Sequence, residues 1–175
     1  MQVFYFLKFS LLCFFLFSCS TLETKKISFD FLKKIPNKYQ LQARGSVEFN
    51  DDYINFSLNW IKEKNQFKIT LYGPLSLGNL EITGFIFNNK IANLKIDNKK
   101  LFGSFKTFML AKYGWYLPLE SIPSWLFLGK IKDDNWQVNY LSSKLFANHQ
   151  LPKKIVLINS KQKIKITALM KKIYF

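Results

Sequence analysis

The chain has 175 residues, a formal net charge of +15 and an aromatic content of 18%. This length is sufficient for one domain with a substantial hydrophobic core. A strongly basic balance is typical of proteins that bind nucleic acid or an anionic surface, but the charge comes from dispersed lysines, and Arg44 is the only arginine. Since the N-terminal segment predicts export, we exclude nucleic acid as a partner. The lysines either contact anionic lipid headgroups or are solvated residues on sheet faces.

The N-terminal segment is typical of a bacterial lipoprotein signal. Lys8 precedes an apolar run, Phe9–Phe17, and Cys19 follows the small residue Ser18. The run lies within the length of about 7–15 residues found in signal peptides, and it is shorter than the roughly 20 residues of a membrane-spanning helix. We predict that residues 1–18 are a signal peptide that is removed, and that Cys19 is then lipidated. A transmembrane anchor and an ordinary secretory signal are the alternatives.

Residues 19–36 are predicted to form a lipidated tether and a short N-terminal helix. Ser28–Lys34 could form an amphipathic helix with Phe31, Leu32 and Ile35 on a shared face, and Pro36 would end it. Residues 37–175 are predicted to form a single domain. Its first part alternates apolar and polar residues, which predicts antiparallel strands joined by polar turns over residues 39–49, 54–60, 67–71, 80–86 and 92–96.

The period of the pattern then changes. Apolar residues at helical spacing predict a helix from Phe105 to Lys112 with Gly114 as its C-terminal cap, and Leu119–Leu128 predicts a second helical stretch. Strands resume over residues 136–140, 155–157 and 164–168. A sheet of this length must curl to bury its apolar faces. The predicted fold is therefore mainly β: an open, incomplete antiparallel β-barrel, or half-barrel, with inserted helices covering a hydrophobic cavity.

We predict that inward-facing side chains of the strands and helices line a cavity for acyl chains. Aromatic and branched side chains provide the apolar surface that such a ligand requires. Ordinary core packing is the alternative for each residue. The candidates are Leu58, Trp60, Ile69, Leu71, Leu80 and Ile82 on the strands, with Phe108 and Trp125 on the helices as a lid.

A second candidate site is the loop Tyr72–Asn79, in which two glycines and a proline surround Leu75 and Leu77. Exposed loops are normally polar. Either both leucines fold back onto the core, or they form a protruding apolar finger that contacts lipid or a partner.

Signals for catalysis are weak. His149 is the only histidine, and we predict that it lies in a polar loop. The sequence has no G-x-S-x-G or Walker-type motif, and no cysteine–histidine cluster has metal-ligand spacing. We therefore predict that the protein is not an enzyme and uses no metal or other cofactor. Without a nucleotide site, any transport would be driven by differences in affinity rather than by ATP.

Short motifs follow one another in a characteristic order along most of the mature chain. They are Ala43-Arg44-Gly45, Trp60, Gly73-Pro74-Leu75, Tyr113-Gly114-Trp115-Tyr116-Leu117-Pro118, Trp125-Leu126 with Gly129, Trp136-Gln137-Val138-Asn139-Tyr140 and Leu151-Pro152-Lys153-Lys154. This order resembles that of the LolB family, the outer-membrane lipoprotein receptors of the bacterial lipoprotein-localisation pathway. The resemblance implies an open antiparallel β-barrel with helices over its mouth.

The resemblance also implies a function, a location and partners. The protein would accept acylated lipoproteins from a soluble periplasmic carrier similar to LolA and insert them into outer-membrane phospholipid, with Leu75 acting in the insertion. It would be a monomer held at the periplasmic face of the outer membrane by the lipid on Cys19. The alternatives are an envelope lipoprotein of similar form that binds lipid or glycolipid, a structural lipoprotein with a filled interior, and an enzyme.

Overall fold

The computed structural model describes residues 27–73, 79–87, 90–131 and 135–175. The predicted signal peptide, Cys19, Leu75 and Leu77 lie outside these ranges. The strands of the described residues are β1 (Lys38–Phe49), β2 (Asp52–Glu63), β3 (Gln66–Tyr72), β4 (Leu80–Phe87), β5 (Lys90–Ile96), β6 (Lys99–Lys100), β7 (Gln137–Phe146), β8 (His149–Asn159) and β9 (Ile164–Tyr174). The helices are α1 (Phe105–Tyr113) and a π-helix (Ser124–Leu128).

All these strands belong to one antiparallel sheet with the order β6-β5-β4-β3-β2-β1-β9-β8-β7. Strand β1 pairs with β2 on one side and with β9 on the other. Both helices lie in the connection between the edge strands β6 and β7. Within the described residues each edge strand has a single neighbour, so the sheet does not close. The predicted mainly β fold, an open incomplete barrel with inserted helices, is confirmed.

The alternation of the sequence places apolar side chains on the same face of successive strands. Leu41 pairs with Trp60, Trp60 with Ile69, Ile69 with Ile82, and Ile82 with Ile96. Every member of this row, which crosses β1 to β5, is at most 9% exposed. Directly opposed residues on one face of a sheet touch each other, so the row forms a continuous floor of the core. We call the face that carries it the inner face.

The segment before β1 is irregular, and the predicted helix Ser28–Lys34 is wrong. The Leu32 N–H donates to the Phe127 carbonyl oxygen at 2.7 Å, which fixes the segment against the π-helix. The ring of Phe31 packs 5.5 Å from that of Tyr140 on β7. A helix this short is marginal on its own, so these hydrogen bonds and ring contacts with distant elements determine its conformation.

Strand β8 is longer than predicted and includes Pro152. It pairs with β7 over most of its length, but its pairing with β9 begins only at Lys154 opposite Leu169. Pro152 lacks an N–H and is tolerated in a strand where one side is unpaired. Strands β8 and β9 therefore separate at this end of the sheet, where the irregular N-terminal segment packs.

His149 does not lie in a polar loop, and that prediction is wrong. The hairpin turn consists of Ala147 and Asn148, both with positive φ, and His149 begins β8. Its Nδ1 lies 2.9 Å from Oδ2 of Asp30. The histidine thus joins the N-terminal segment to the sheet.

The predicted helix from Phe105 is confirmed as α1. The Ser104 hydroxyl accepts a hydrogen bond from the Thr107 N–H at 3.0 Å, and Gly114 ends the helix in the left-handed region at φ 76°. The second predicted helical stretch is mainly the π-helix, which ends at Gly129. The helices of the described residues are too short or too polar to cross a lipid bilayer.

Candidate acyl-chain site on the inner face

The strand residues predicted to line a cavity lie together on the inner face. Trp60, Ile69 and Ile82 are consecutive members of the row described above. Leu58 pairs with Leu71, and Leu71 pairs with Leu80, in a second row beside the first. The first row is almost fully buried, whereas Leu58 and Leu71 are only partly buried. The structure therefore brings the predicted strand residues together on one face, where they form a packed core; their role as an acyl-chain site stays a prediction.

The π-helix covers this surface. Trp125, Leu126 and Phe127 are each at most 1% exposed. The ring centroid of Phe127 lies 5.1 Å from that of Tyr39 on β1, and the Trp125 ring lies 6.2 Å from Trp136. Tyr39, Phe127 and Trp136 contribute as well, although they are not among the residues predicted from the sequence. Tyr39 could have been found from its alternation with Leu41, since both positions face inward.

Helix α1 covers the surface less completely. Among its residues only Met109 is buried. Phe108, the other predicted lid residue, is partly buried against the core, and its ring lies 6.4 Å from that of Tyr113. The two predicted lid residues therefore occupy different environments, with Trp125 inside the core and Phe108 at its margin.

A cleft of about 580 Å³ runs between α1 and the edge formed by β5 and β6. Such a volume falls within the range of about 300–1,000 Å³ that is common for ligand pockets. Its apolar lining includes Ile91, Leu94, Leu101, Phe105 and Leu117. Charged side chains such as Lys106 and Glu120 also line it, so the cleft is a partly polar opening at the side of the core where the covering helix is least buried.

Several polar atoms are buried in this core without a hydrogen-bond partner among the described residues. They are the hydroxyls of Tyr39 and Tyr113 and the indole Nε1 atoms of Trp60, Trp125 and Trp136. Buried polar groups are normally paired, because an unpaired one retains the full penalty of losing water. The interior therefore contains hydrogen-bond donors beyond what packing requires.

Tyr140 provides a contrast within the same core. Its hydroxyl donates to the Trp125 carbonyl oxygen at 2.8 Å. Burial raises the pKa of Tyr140 to about 12 and raises the pKa of Tyr39 further above its usual value. Both phenols are therefore neutral at physiological pH. In the described residues only the Tyr140 hydroxyl has a hydrogen-bond partner.

Lys62 is an unusual member of the inner face. It lies two residues after Trp60, so alternation directs it inward, and it is only 9% exposed. Its ammonium donates to the carbonyl oxygens of Pro36 and Asn37 at 3.4 and 3.2 Å. Burial lowers its pKa. Lys62 thus ties the segment before β1 to the rim of the core.

Gly73 marks where the chain leaves β3 for the loop that contains Leu75 and Leu77. Its φ is 144°, and a Cβ atom built on it would lie 2.6 Å from the Asn55 carbonyl oxygen. Glycine is therefore required at this exit. The two leucines lie outside the described residues, so their role remains a prediction.

Part of the basic charge is paired on the outside of the sheet. Lys38, Lys68 and Lys165 bind Glu63, Glu81 and Glu48 at 2.8, 2.6 and 3.1 Å. Exposed pairs of this kind contribute little to stability, about 0–1 kcal/mol each. In the ranges that the structure describes, no cluster of histidine, cysteine, aspartate and glutamate could hold a metal ion.

Fold and site together define a class: open antiparallel half-barrels whose apolar inner face is covered by short helices. The sequence model of the family described as "Outer membrane lipoprotein LolB" matches residues 37–128. The chain belongs to this family.

Similar proteins agree with this membership. The outer-membrane lipoprotein LolB of Francisella tularensis subsp. tularensis is 25% identical over 177 residues, covering 85% of this chain and 84% of that protein. LolB of Nitrosococcus oceani is 24% identical and covers 73% of each chain. A crystal structure of a DUF1329 family protein from Desulfovibrio piger has a TM-score of 0.53 at 6% identity, covering 79% of this chain and 85% of that one. This last likeness shows the fold alone.

Proposed function

We propose that the protein is an outer-membrane receptor that accepts acylated lipoproteins from a soluble periplasmic carrier similar to LolA. It then inserts them into the outer membrane without ATP. The observation that carries this proposal is the apolar inner face of an unclosed sheet, covered by short helices, in a chain of the LolB family. Relatives named as outer-membrane lipoproteins support the same membrane and the same general role.

The physical requirement for such a receptor is a dry surface for acyl chains. Each CH₂ group that is kept from water contributes about 0.8 kcal/mol. Carrying several acyl chains bare through water would therefore cost on the order of tens of kcal/mol. An apolar core that opens beneath α1 removes most of that cost. Transfer from a weaker cavity to a stronger one, and then to a bilayer, proceeds downhill without a nucleotide.

In this proposal the lipid on Cys19 holds the receptor, a monomer, at the periplasmic face of the outer membrane. The tether keeps the apolar core near the membrane that receives the cargo. Acyl chains would contact the two rows of the inner face, centred on Trp60 and Leu71, after Phe108 and Trp125 move aside. The lysines that have no acidic partner would be available to phospholipid headgroups.

Leu75 and Leu77 are proposed to act at delivery, by entering the bilayer as the cargo leaves. A charge at this position would oppose entry into hydrocarbon. We expect Leu75→Glu to retain cargo on the receptor and to block insertion, whereas the control Leu75→Ile should support insertion normally. The measurement is lipoprotein location in cells depleted of the native protein. Normal insertion with Leu75→Glu would show that the proposed role is wrong.

The whole proposal is tested by depleting the protein and following newly made lipoproteins. We expect them to accumulate in the periplasm, bound to a soluble carrier. Native mass spectrometry of the purified receptor should show an acylated protein as its ligand. Free lipid or glycolipid as the only ligand, with lipoproteins still reaching the outer membrane after depletion, would instead indicate a lipid-binding envelope protein.

A further inference from the structure

The unpaired donors of the core call for an explanation that hydrocarbon binding does not provide. The chain contains 19 phenylalanines, which offer aromatic bulk without any polar atom. At the most buried points of the inner face it instead places Tyr39 and Trp60, whose rings lie 6.0 Å apart. The lid adds Trp125 against Trp136 at 6.2 Å. Each of these residues is at most 3% exposed and carries a donor without a partner in the described residues.

These two pairs belong to one continuous core. Phe127, which lies two residues after Trp125, has its ring 5.1 Å from that of Tyr39. Indole N–H groups can only donate hydrogen bonds, and a neutral phenol can also donate. The four side chains therefore present donors, and a matching ligand must bring acceptors into an apolar interior.

We infer that these donors bind the ester and amide carbonyl groups that join acyl chains to a lipoprotein's N-terminal cysteine. This inference rests on the proposed function and identifies the part of the cargo that the core recognises. The carbonyl oxygens lose water when acyl chains enter an apolar cavity, and they are costly to bury unless they accept hydrogen bonds. The core has donors without acceptors, and the ester and amide carbonyl oxygens of the cargo are acceptors that lose their water partners on entry. Binding satisfies both and distinguishes acylated cargo from bare hydrocarbon.

The test compares two ligands that differ only in the ester carbonyl groups of their acyl chains. One is an S-(dipalmitoylglyceryl)cysteinyl peptide, and the other is its dihexadecyl ether analogue, which has the same chains without the ester carbonyls. Dissociation constants are measured with the purified mature protein by competition against the radiolabelled dipalmitoyl peptide. We expect the ester ligand to bind about tenfold more tightly than the ether ligand.

Variants identify the donors. Tyr39→Phe removes only the unpaired hydroxyl and should reduce the preference for the ester to about threefold. Trp125→Phe should reduce it as well. Two controls should keep the tenfold preference: Tyr140→Phe, because that hydroxyl already donates to a backbone carbonyl, and Trp115→Phe, because that indole nitrogen is not among the buried unpaired atoms. Far-ultraviolet circular dichroism and thermal unfolding confirm that each variant folds.

The outcomes separate the inference from the proposed function. Equal affinity of the native protein for both ligands would overturn the inference and leave the receptor function intact. Binding of neither ligand would overturn the proposed function as well. An ester preference that survives in both Tyr39→Phe and Trp125→Phe would show that other groups recognise the carbonyls.

Discussion

Two tyrosines in the same core should respond in opposite ways to the loss of a single oxygen atom. Tyr140→Phe removes a 2.8 Å hydrogen bond to the Trp125 carbonyl oxygen, whereas Tyr39→Phe removes a hydroxyl that has no partner in the described residues. A neutral hydrogen bond contributes about 0.5–1.5 kcal/mol net, and an unpaired buried polar group costs about 1–3 kcal/mol. We therefore expect Tyr140→Phe to lower the free energy of unfolding by about 1–2 kcal/mol and Tyr39→Phe to raise it by up to about 1 kcal/mol.

Urea unfolding at neutral pH, followed by circular dichroism, measures this difference. With a denaturant slope of about 1–3 kcal/mol/M, the midpoints of the two variants should differ by about 1 M. The native protein should fall between them. A loss of stability in Tyr39→Phe as large as that in Tyr140→Phe would refute the reasoning, because it would show that the Tyr39 hydroxyl has a partner.

Two further predictions concern pH and the loop. Burial raises the pKa of Tyr140 to about 12 from the ordinary value of 10.0. Since the unfolded chain releases this proton first, the contribution of Tyr140 to stability should be constant below about pH 10 and should fall between about pH 10 and 12, by about 1.4 kcal/mol per pH unit. Urea midpoints measured across this range should fall less steeply in Tyr140→Phe than in the native protein. An unchanged slope would contradict the assignment. Gly73→Ala should lower the unfolding temperature more than Gly103→Ala. Both positions have positive φ, but the added Cβ would press against backbone, at Asn55, only in Gly73→Ala. Equal losses in thermal unfolding would show that this close approach is unimportant.

The sheet and its inner face could be predicted from the sequence because a strand repeats every two residues. Trp60, Ile69 and Ile82 were assigned to one surface from alternation alone, and the strand pairing places them side by side. Alternation also places Lys62 on the inner face, although Lys62 is not among the residues predicted from the sequence. Periodicity thus predicts the face on which a side chain lies.

Periodicity does not predict which distant group a residue meets. The segment Ser28–Lys34 has helical spacing, yet its Leu32 amide binds the Phe127 carbonyl and its conformation follows from that contact. His149 resembled a loop residue because the neighbouring residues are polar, yet a two-residue turn leaves it at the start of β8 beside Asp30. In the same way, periodicity does not predict that the Tyr39 hydroxyl lacks a partner in the described residues, because this depends on which side chains the other elements place around it.

The two elements that cover the inner face bury unequal numbers of side chains, and in the proposed mechanism this inequality would set the order in which they move aside. The π-helix buries Trp125, Leu126 and Phe127, whereas α1 buries only Met109. Full burial of one such side chain contributes about 1.5–3 kcal/mol, so displacing α1 costs several kcal/mol less than displacing the π-helix. Acyl chains that enter the cleft beside α1 would therefore meet the weaker cover first. The hydrogen bonds that the Trp125 indole N–H would donate to cargo carbonyl oxygens would then offset part of the larger cost of moving the π-helix.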